Sequence, residues 1–234
     1  MAYQIGLYLI YGIAAQGIGY LWGKTGILPL GQALFFGVAA YATALILRNI
    51  DSVPAQLGLT AVVMLAIGLL AYGLAALIFK GRSESGPYFS LITLALVMIA
   101  EQVANTASGV TGGFNGLSGY SSIGGLDPYG NFYYLVVGAT AVVSAGLLVL
   151  NRLPVNLVVK GVADNEPRLQ LLGFATHRIK GCAFGFSAII AALAGGLFAS
   201  HQGIVTPTST GFGLSAELVI LAAIGGRFHV LGPL

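Results

Sequence analysis

The sequence predicts an all-α membrane protein, a polytopic bundle of about seven membrane segments with broken helices. Three observations predict it. The hydrophobic fraction is 57%, charged residues are 7% and mean hydropathy is +0.90. A water-soluble chain of 234 residues could not hide so much apolar side chain or present a charged surface. Glycine numbers 35, a usage that suits membrane helices whose backbones approach closely. The cations are also unevenly spread. Arg152, Lys160, Arg168, Arg178 and Lys180 fall between Asn151 and Lys180 beside only Asp164 and Glu166, so half of the ten cationic residues form one polar island.

One crossing takes ~20 apolar residues. This places segments near Tyr3–Trp22, Ile27–Leu47, Val53–Phe79, Tyr88–Ala107, Phe132–Leu150, Cys182–Val205 and Leu214–Leu234. The second opens with GILPLG, Gly26–Gly31, where Pro29 predicts a helix break. The third runs into KGRSESGP, with Lys80 and Arg82. The fourth carries Glu101, Gln102 and Asn105 toward its outer end, and a loop follows whose only charge is Asp127. In the sixth, Ser187, Ala191, Gly195 and Ala199 recur every four residues beside a second row, Ala188, Ala192, Gly196 and Ser200. Small residues at that spacing predict a flat face for helix packing. In the seventh, a straight helix would carry Arg227 to the bilayer middle at high cost, so a break is expected at Gly225-Gly226. Broken membrane helices persist where freed backbone groups meet protein or water, the usual setting of a transport path.

Lys and Arg concentrate on the cytoplasmic side of membrane proteins. Placing Lys24, Lys80, Arg82 and the 151–180 island inside leaves only Arg48 clearly outside, and puts Met1 outside. The island itself reads as structured. Asp164 or Asn165 can cap a short helix, Pro167 suits its first turn, and Gly173 can end it in a left-handed conformation. Over Asn165–Leu172, Leu169 and Leu172 share a face, Glu166 and Arg168 are expected to remain available, and Thr176 is expected to cap the next helix. Such a helix on the cytoplasmic face predicts a docking surface for a partner.

Two acids fall in or beside apolar segments. An intramembrane carboxylate is a functional-site candidate, and Glu101 could meet a substrate ammonium in a water-filled vestibule. The preferred reading of Glu101, Gln102 and Asn105 is an outer interface. For Glu217 the preferred reading is a helix start capped by Ser215. The external loop TGGFNGLSGYSSIGG, with a turn at Asn115-Gly116, is either a lid or binding-protein contact or an ordinary loop. Lone Cys182 reads as packing and allows no internal disulfide. His177, His201 and His229 lack metal-ligand spacing. Gly23-Lys24-Thr25 is not a phosphate loop, because position 18 is Ile and a membrane helix precedes it. Lys24 reads as a snorkelling lysine. The net charge of +3 lies at helix ends and gives no nucleic-acid signal.

The run GVADNEPRLQLLGFATHRIKGCAFGFSAIIAALAGGLFASHQGIVTP resembles the branched-chain amino-acid ABC importer permeases of the LivM type. The similarity extends in order to GILPLGQALFFGVAAYATALIL, GPYFSLITLAL, VTGGFNGLSG and SAELVILAAIGGRFHVLGPL. It departs at Leu153, Val155 and Asn156, where relatives tend to carry Ser, Phe and Gly. The resemblance implies a type II-like ABC importer permease: a single transmembrane domain over 1–234, expected to lack an N-terminal helix and the C-terminal helices of the family. It implies residues 151–180 as a cytoplasmic coupling loop, with Asp164, Asn165, Glu166, Pro167, Arg168, Leu169, Leu172 and Gly173 contacting the ATPase. The candidate path comprises Gln32, Phe36, Tyr88, Thr93, Glu101, Asn115 and Glu217. The implied partners are ATP-binding-cassette ATPase subunits, a second homologous permease and an extracytoplasmic substrate-binding protein, in lipid of the bacterial inner membrane. The substrate implied is leucine, isoleucine or valine, with urea or short amides as the alternative. No cofactor is implied and ATP hydrolysis belongs to the partners. A self-contained channel or secondary carrier is disfavoured by the lack of inverted repeats or ionisable relays, and an intramembrane enzyme by the lack of a convergent catalytic set.

Overall fold

The computed structural model describes residues 2–80, 86–127, 130–226 and 232–233; Arg82, Arg227 and His229 lie outside the described residues. The helices are α1 (Ala2–Thr25), α2 (Gln32–Asn49), α3 (Val53–Phe79), α4 (Gly86–Thr106), the single turn α5 (Ser108–Thr111), α6 (Asn131–Arg152), α7 (Val155–Leu171), α8 (Thr176–Gln202) and α9 (Phe212–Ile224). Helix α8 is central, with α1, α2 and α3 packed around it. Its sequence explains this. Both predicted small-residue rows are buried, and a Cβ added at Gly195 would sit 2.0 Å from the Phe36 carbonyl oxygen of α2. Phe36, Phe198 and Tyr11 fill the adjoining core, with ring centroids 5.2 Å apart for Phe36 and Phe198.

Among the described residues five helices, α1, α3, α4, α6 and α8, are long and apolar enough to cross a membrane. Two of the seven expected segments are not among these five, and the end of the seventh, Leu214–Leu234, lies partly outside the described residues. Helix α2 has 18 residues and ends in Arg48 and Asn49, while α9 has only 13 and stops at Ile224. The expected break at Gly225-Gly226 is present, with Gly226 at φ +87°. Helix α8 begins six residues before Cys182, so 176–180 is membrane helix rather than loop. Exposed Leu57, Val62, Leu65 and Leu69 on α3, Leu91 and Met98 on α4, and Val142 and Val149 on α6 give these helices apolar outer faces, as hydrocarbon requires.

The break at Gly26–Gly31 is a non-helical link between α1 and α2, mostly buried. Its freed carbonyls find protein donors. Ser90 Oγ on α4 donates to the Leu28 carbonyl at 2.5 Å, and Ser215 Oγ on α9 donates to that of Leu30 at 2.5 Å. Ser215 therefore lies inside α9 and does not cap it; Gly211 occupies the cap position without a side-chain bond.

The two ends of the bundle are chemically distinct. At one end, Tyr3 Oη donates to Gln202 Oε1 at 2.6 Å, and the Gly124 N–H donates to Gln56 Oε1 at 3.2 Å. There β1 (Leu117–Ser118) pairs antiparallel with β2 (Ile204–Val205), Leu117 opposite Val205. Tyr120 Oη donates to the Ala199 carbonyl at 3.2 Å, and burial pushes this hydroxyl well above the usual tyrosine range. At the other end, α7 gathers against α1 and α8 with Lys24, Arg152, Lys160, Arg168, Arg178 and Lys180. Arg48 lies at the opposite end, so the fold segregates charge as the sequence predicts.

Candidate functional site

A pocket of about 410 Å³ opens in the half of the bundle nearer β1 and β2, lined among others by Tyr11, Glu101, Thr206, Thr208, Ser209 and Glu217. The chain after β2 builds it. Pro207–Thr210 makes a single 3-10 turn, held by Ser209 N–H to the Thr206 carbonyl at 2.9 Å and Thr210 Oγ1 to that of Pro207 at 2.6 Å. Gly211 then lets the chain pass under α4: a Cβ there would lie 2.6 Å from Glu101 Oε2. Glu101 thus leans over the start of α9 and into the pocket that Glu217 reaches from one turn further along. The two acids read from sequence as an interface residue and a helix-start residue share one cavity. The hydroxyl run Thr206-Pro207-Thr208-Ser209-Thr210 was legible in the sequence and went unused.

The other candidate positions scatter. Gln32 is fully buried; its Nε2 donates to Ser187 Oγ at 2.9 Å, Ser187 Oγ donates to the Gly17 carbonyl at 2.8 Å, and Gln32 Oε1 has no partner among the described residues. Phe36 is core, one layer behind Tyr11 and Phe198 of the pocket wall. Thr93 is buried against Gly31, its Oγ1 donating to the Ser90 carbonyl at 3.0 Å. Tyr88 is exposed near the far end of α4, and Asn115 is exposed in a 3-10 turn beside β1.

The island folds into two helical pieces. Asn165 breaks α7 with φ −160° and ψ 86°, and its Oδ1 accepts the Arg168 N–H at 3.0 Å, so Asn165 is the cap. Pro167 takes the first turn. At the other end Gly173 has φ +87°, the Gly173 N–H reaches the Gln170 carbonyl at 2.9 Å, and the Phe174 N–H reaches that of Leu169 at 3.1 Å. This is a Schellman stop. Two expectations are corrected. Thr176 does not cap α8; its Oγ1 accepts from Gln170 Nε2 at 3.0 Å, and Ala175 holds the cap position. Nor is Glu166 available to a partner, because Lys180 Nζ lies 2.6 Å from Glu166 Oε2, both side chains are mostly buried, and the ammonium also sits 4.7 Å from the Phe79 ring. Leu169 folds back on Gly161, leaving Leu171 (90% exposed), Leu172 and Phe174 as the apolar tip.

Two further residues depart from their sequence reading. Lys24 is only 7% exposed and donates from Nζ to Asn151 Oδ1 at 2.5 Å, so it is anchored and does not snorkel. Cys182 is exposed at the mouth of an apolar pocket of about 380 Å³ with Tyr20, Leu150 and Phe186, and is not core packing. Among the described residues no group of three His, Cys, Asp or Glu is assembled to hold a metal.

The family model described as branched-chain amino acid transport system / permease component matches residues 1–234. The chain is 30% identical over 96% of its length to the high-affinity branched-chain amino acid transport system permease protein LivM of Escherichia coli (strain K12), covering 59% of that protein. It is 26% identical over 89% of its length to the ribose import permease protein RbsC of Haemophilus influenzae, covering 66% of it, and 28% identical over 81% to the autoinducer 2 import system permease protein LsrC of an Enterobacter strain, covering 53%. The chain spans about three fifths of the length of the LivM relatives. No solved structure matches. Among the described residues, five helices able to span a bilayer, charge gathered at one end, and a capped basic element between α6 and α8 agree with this match. The chain is a multi-pass protein of the bacterial inner membrane and belongs to the branched-chain amino acid transport system / permease component family.

Proposed function

We propose that the chain is the membrane-spanning subunit of an ATP-binding-cassette importer for branched-chain amino acids. It acts beside a second homologous permease, ATPase subunits and an extracytoplasmic binding protein. The supporting observation is one chain that puts a two-carboxylate pocket toward one end and an exposed apolar tip at the other. Glu101 and Glu217 suit the ammonium group of an amino acid, a charge that urea and short amides lack. Leu171, Leu172 and Phe174 suit an apolar groove on an ATPase, and the Glu166–Lys180 pair ties that tip to the base of α8. Positioning and electrostatic complementarity account for the chain's part, and ATP hydrolysis falls to the partners.

The test is reconstitution of the chain with the ATPase, permease and binding protein encoded beside it. ATP-dependent uptake of labelled leucine, isoleucine and valine, with urea and ribose carried at background, supports the reading. Uptake of urea or ribose in preference to leucine overturns the substrate assignment. Uptake without any ATPase moves the chain to the class of self-contained carriers.

A further inference from the structure

A second polar cavity lies at the basic end of the bundle, apart from the pocket assigned to transport. Its volume is about 540 Å³ and it is lined by Trp22, Gly23, Lys24, Gly26, Lys160, Ala163 and Asp164. Two helices bring the lysines there: Lys24 ends α1, and Lys160 lies one turn before the Asn165 break in α7. Both side chains line this one cavity, so two ammonium groups share its wall. Among the described residues Asp164 is the only acid on the wall against Lys24 and Lys160, one cation in excess. Lys24 is more than nine-tenths buried and gives one of its three N–H donors to Asn151 Oδ1. Two donors remain. Asn151 Oδ1 is already shared, since Asn156 Nδ2 donates to it at 2.7 Å.

A buried ammonium facing a second ammonium is costly unless an anion joins them. We propose that this cavity binds a phosphate-bearing anion, its oxygens accepting from Lys24 and Lys160 at the mouth between α1 and α7. The cavity sits at the helix ends where the positive-inside distribution places the inner-leaflet headgroups, and Trp22 is an aromatic of the kind that settles at that level. Basic pockets between membrane helices on the cytoplasmic side take anionic headgroups, so the lipid phosphate is the first source to test and free phosphate the second. Because Ala163 and Asp164 immediately precede the cap residue Asn165, an occupant touches the base of the capped element.

Trp22 is the chain's single tryptophan and lines the cavity, so its emission is a direct reporter. The full chain is placed in phosphatidylcholine nanodiscs with increasing phosphatidylglycerol, and separately in pure phosphatidylcholine with inorganic phosphate. A saturable Trp22 shift with phosphatidylglycerol alone identifies the lipid headgroup; the same shift with inorganic phosphate identifies the free anion. Lys160→Ala, an exposed position whose loss leaves the helix intact, should weaken either response about fivefold. Lys24→Met should abolish it, and circular dichroism of both variants controls for folding. No response to either anion, or an unchanged response in a folded Lys160→Ala protein, overturns the site.

Discussion

Glu166 and Lys180 are fourteen residues apart in the chain, yet their charged atoms lie 2.6 Å apart where the capped element meets the base of α8. Removing one partner of a mostly buried pair costs about 3–5 kcal/mol, because the other charge is left uncompensated. Glu166→Arg places two cations together and should release the tip from α8. ATP-driven uptake is expected to fall to background while membrane insertion stays normal. The double exchange Glu166→Lys with Lys180→Glu should recover a measurable part of the uptake. No recovery, with both proteins inserted, would assign the loss to something other than the pair.

Gly173 offers a test free of steric contact, since nothing lies within 4 Å of where its side chain would start. Its φ of +87° is the whole constraint. A β-branched residue resists that conformation by about 1–2 kcal/mol, whereas asparagine adopts it readily. Gly173→Val should uncouple hydrolysis from uptake or weaken ATPase binding, and Gly173→Asn should retain most activity. Equal activity in the two variants would remove the left-handed stop from the coupling argument.

Gly195 is the reverse case, a position set by packing. Any side chain meets the Phe36 carbonyl of α2, and overfilling a packed contact costs about 1–3 kcal/mol. Gly195→Val should lower the thermal midpoint of the detergent-solubilised chain by several degrees. An unchanged midpoint would show that α2 and α8 part without penalty.

Glu101→Gln keeps the side-chain shape over Gly211 and removes the charge. If the carboxylate meets the substrate ammonium, uptake of leucine slows severalfold while the amount of assembled protein is unchanged. Normal uptake strikes Glu101 from the path.

Sidedness is checked by single cysteines at Ser122 and Arg168, introduced after Cys182→Ser because that thiol is exposed. An impermeant reagent applied to intact cells should modify position 122 and spare 168. Modification of both sites would defeat the arrangement.

Helix limits were legible wherever hydropathy and chemistry change together. The span Val53–Phe79 agrees at both ends, because Pro54 suits a first turn and Lys80 closes the apolar run. The Asn165 cap and Gly173 stop were readable because each is a local event within a few residues. The start of α8 was expected at Thr176, within a residue of where it lies, but its first turn was left outside the apolar segment begun at Cys182. His177, Arg178 and Lys180 read as loop, and only the distant Glu166 and Phe79 make a lysine tolerable near that helix's base. Ser215 looked like a cap because its real acceptor, the Leu30 carbonyl, is 185 residues away. The resemblance put Glu101 and Glu217 on one candidate path, but their meeting in one pocket was not readable from the residues, since no periodicity carries a contact between α4 and α9.

The two-residue ladder between β1 and β2 fastens the end of α8 to the loop before α6 through main-chain atoms alone. Leu117 and Val205 face inward, while Ser118 and Ile204 face outward. The fastening is therefore indifferent to what the outward positions carry. Those two sites are free to diverge, so Ser118 and Ile204 can change by mutation without loosening the closure of the helix beneath.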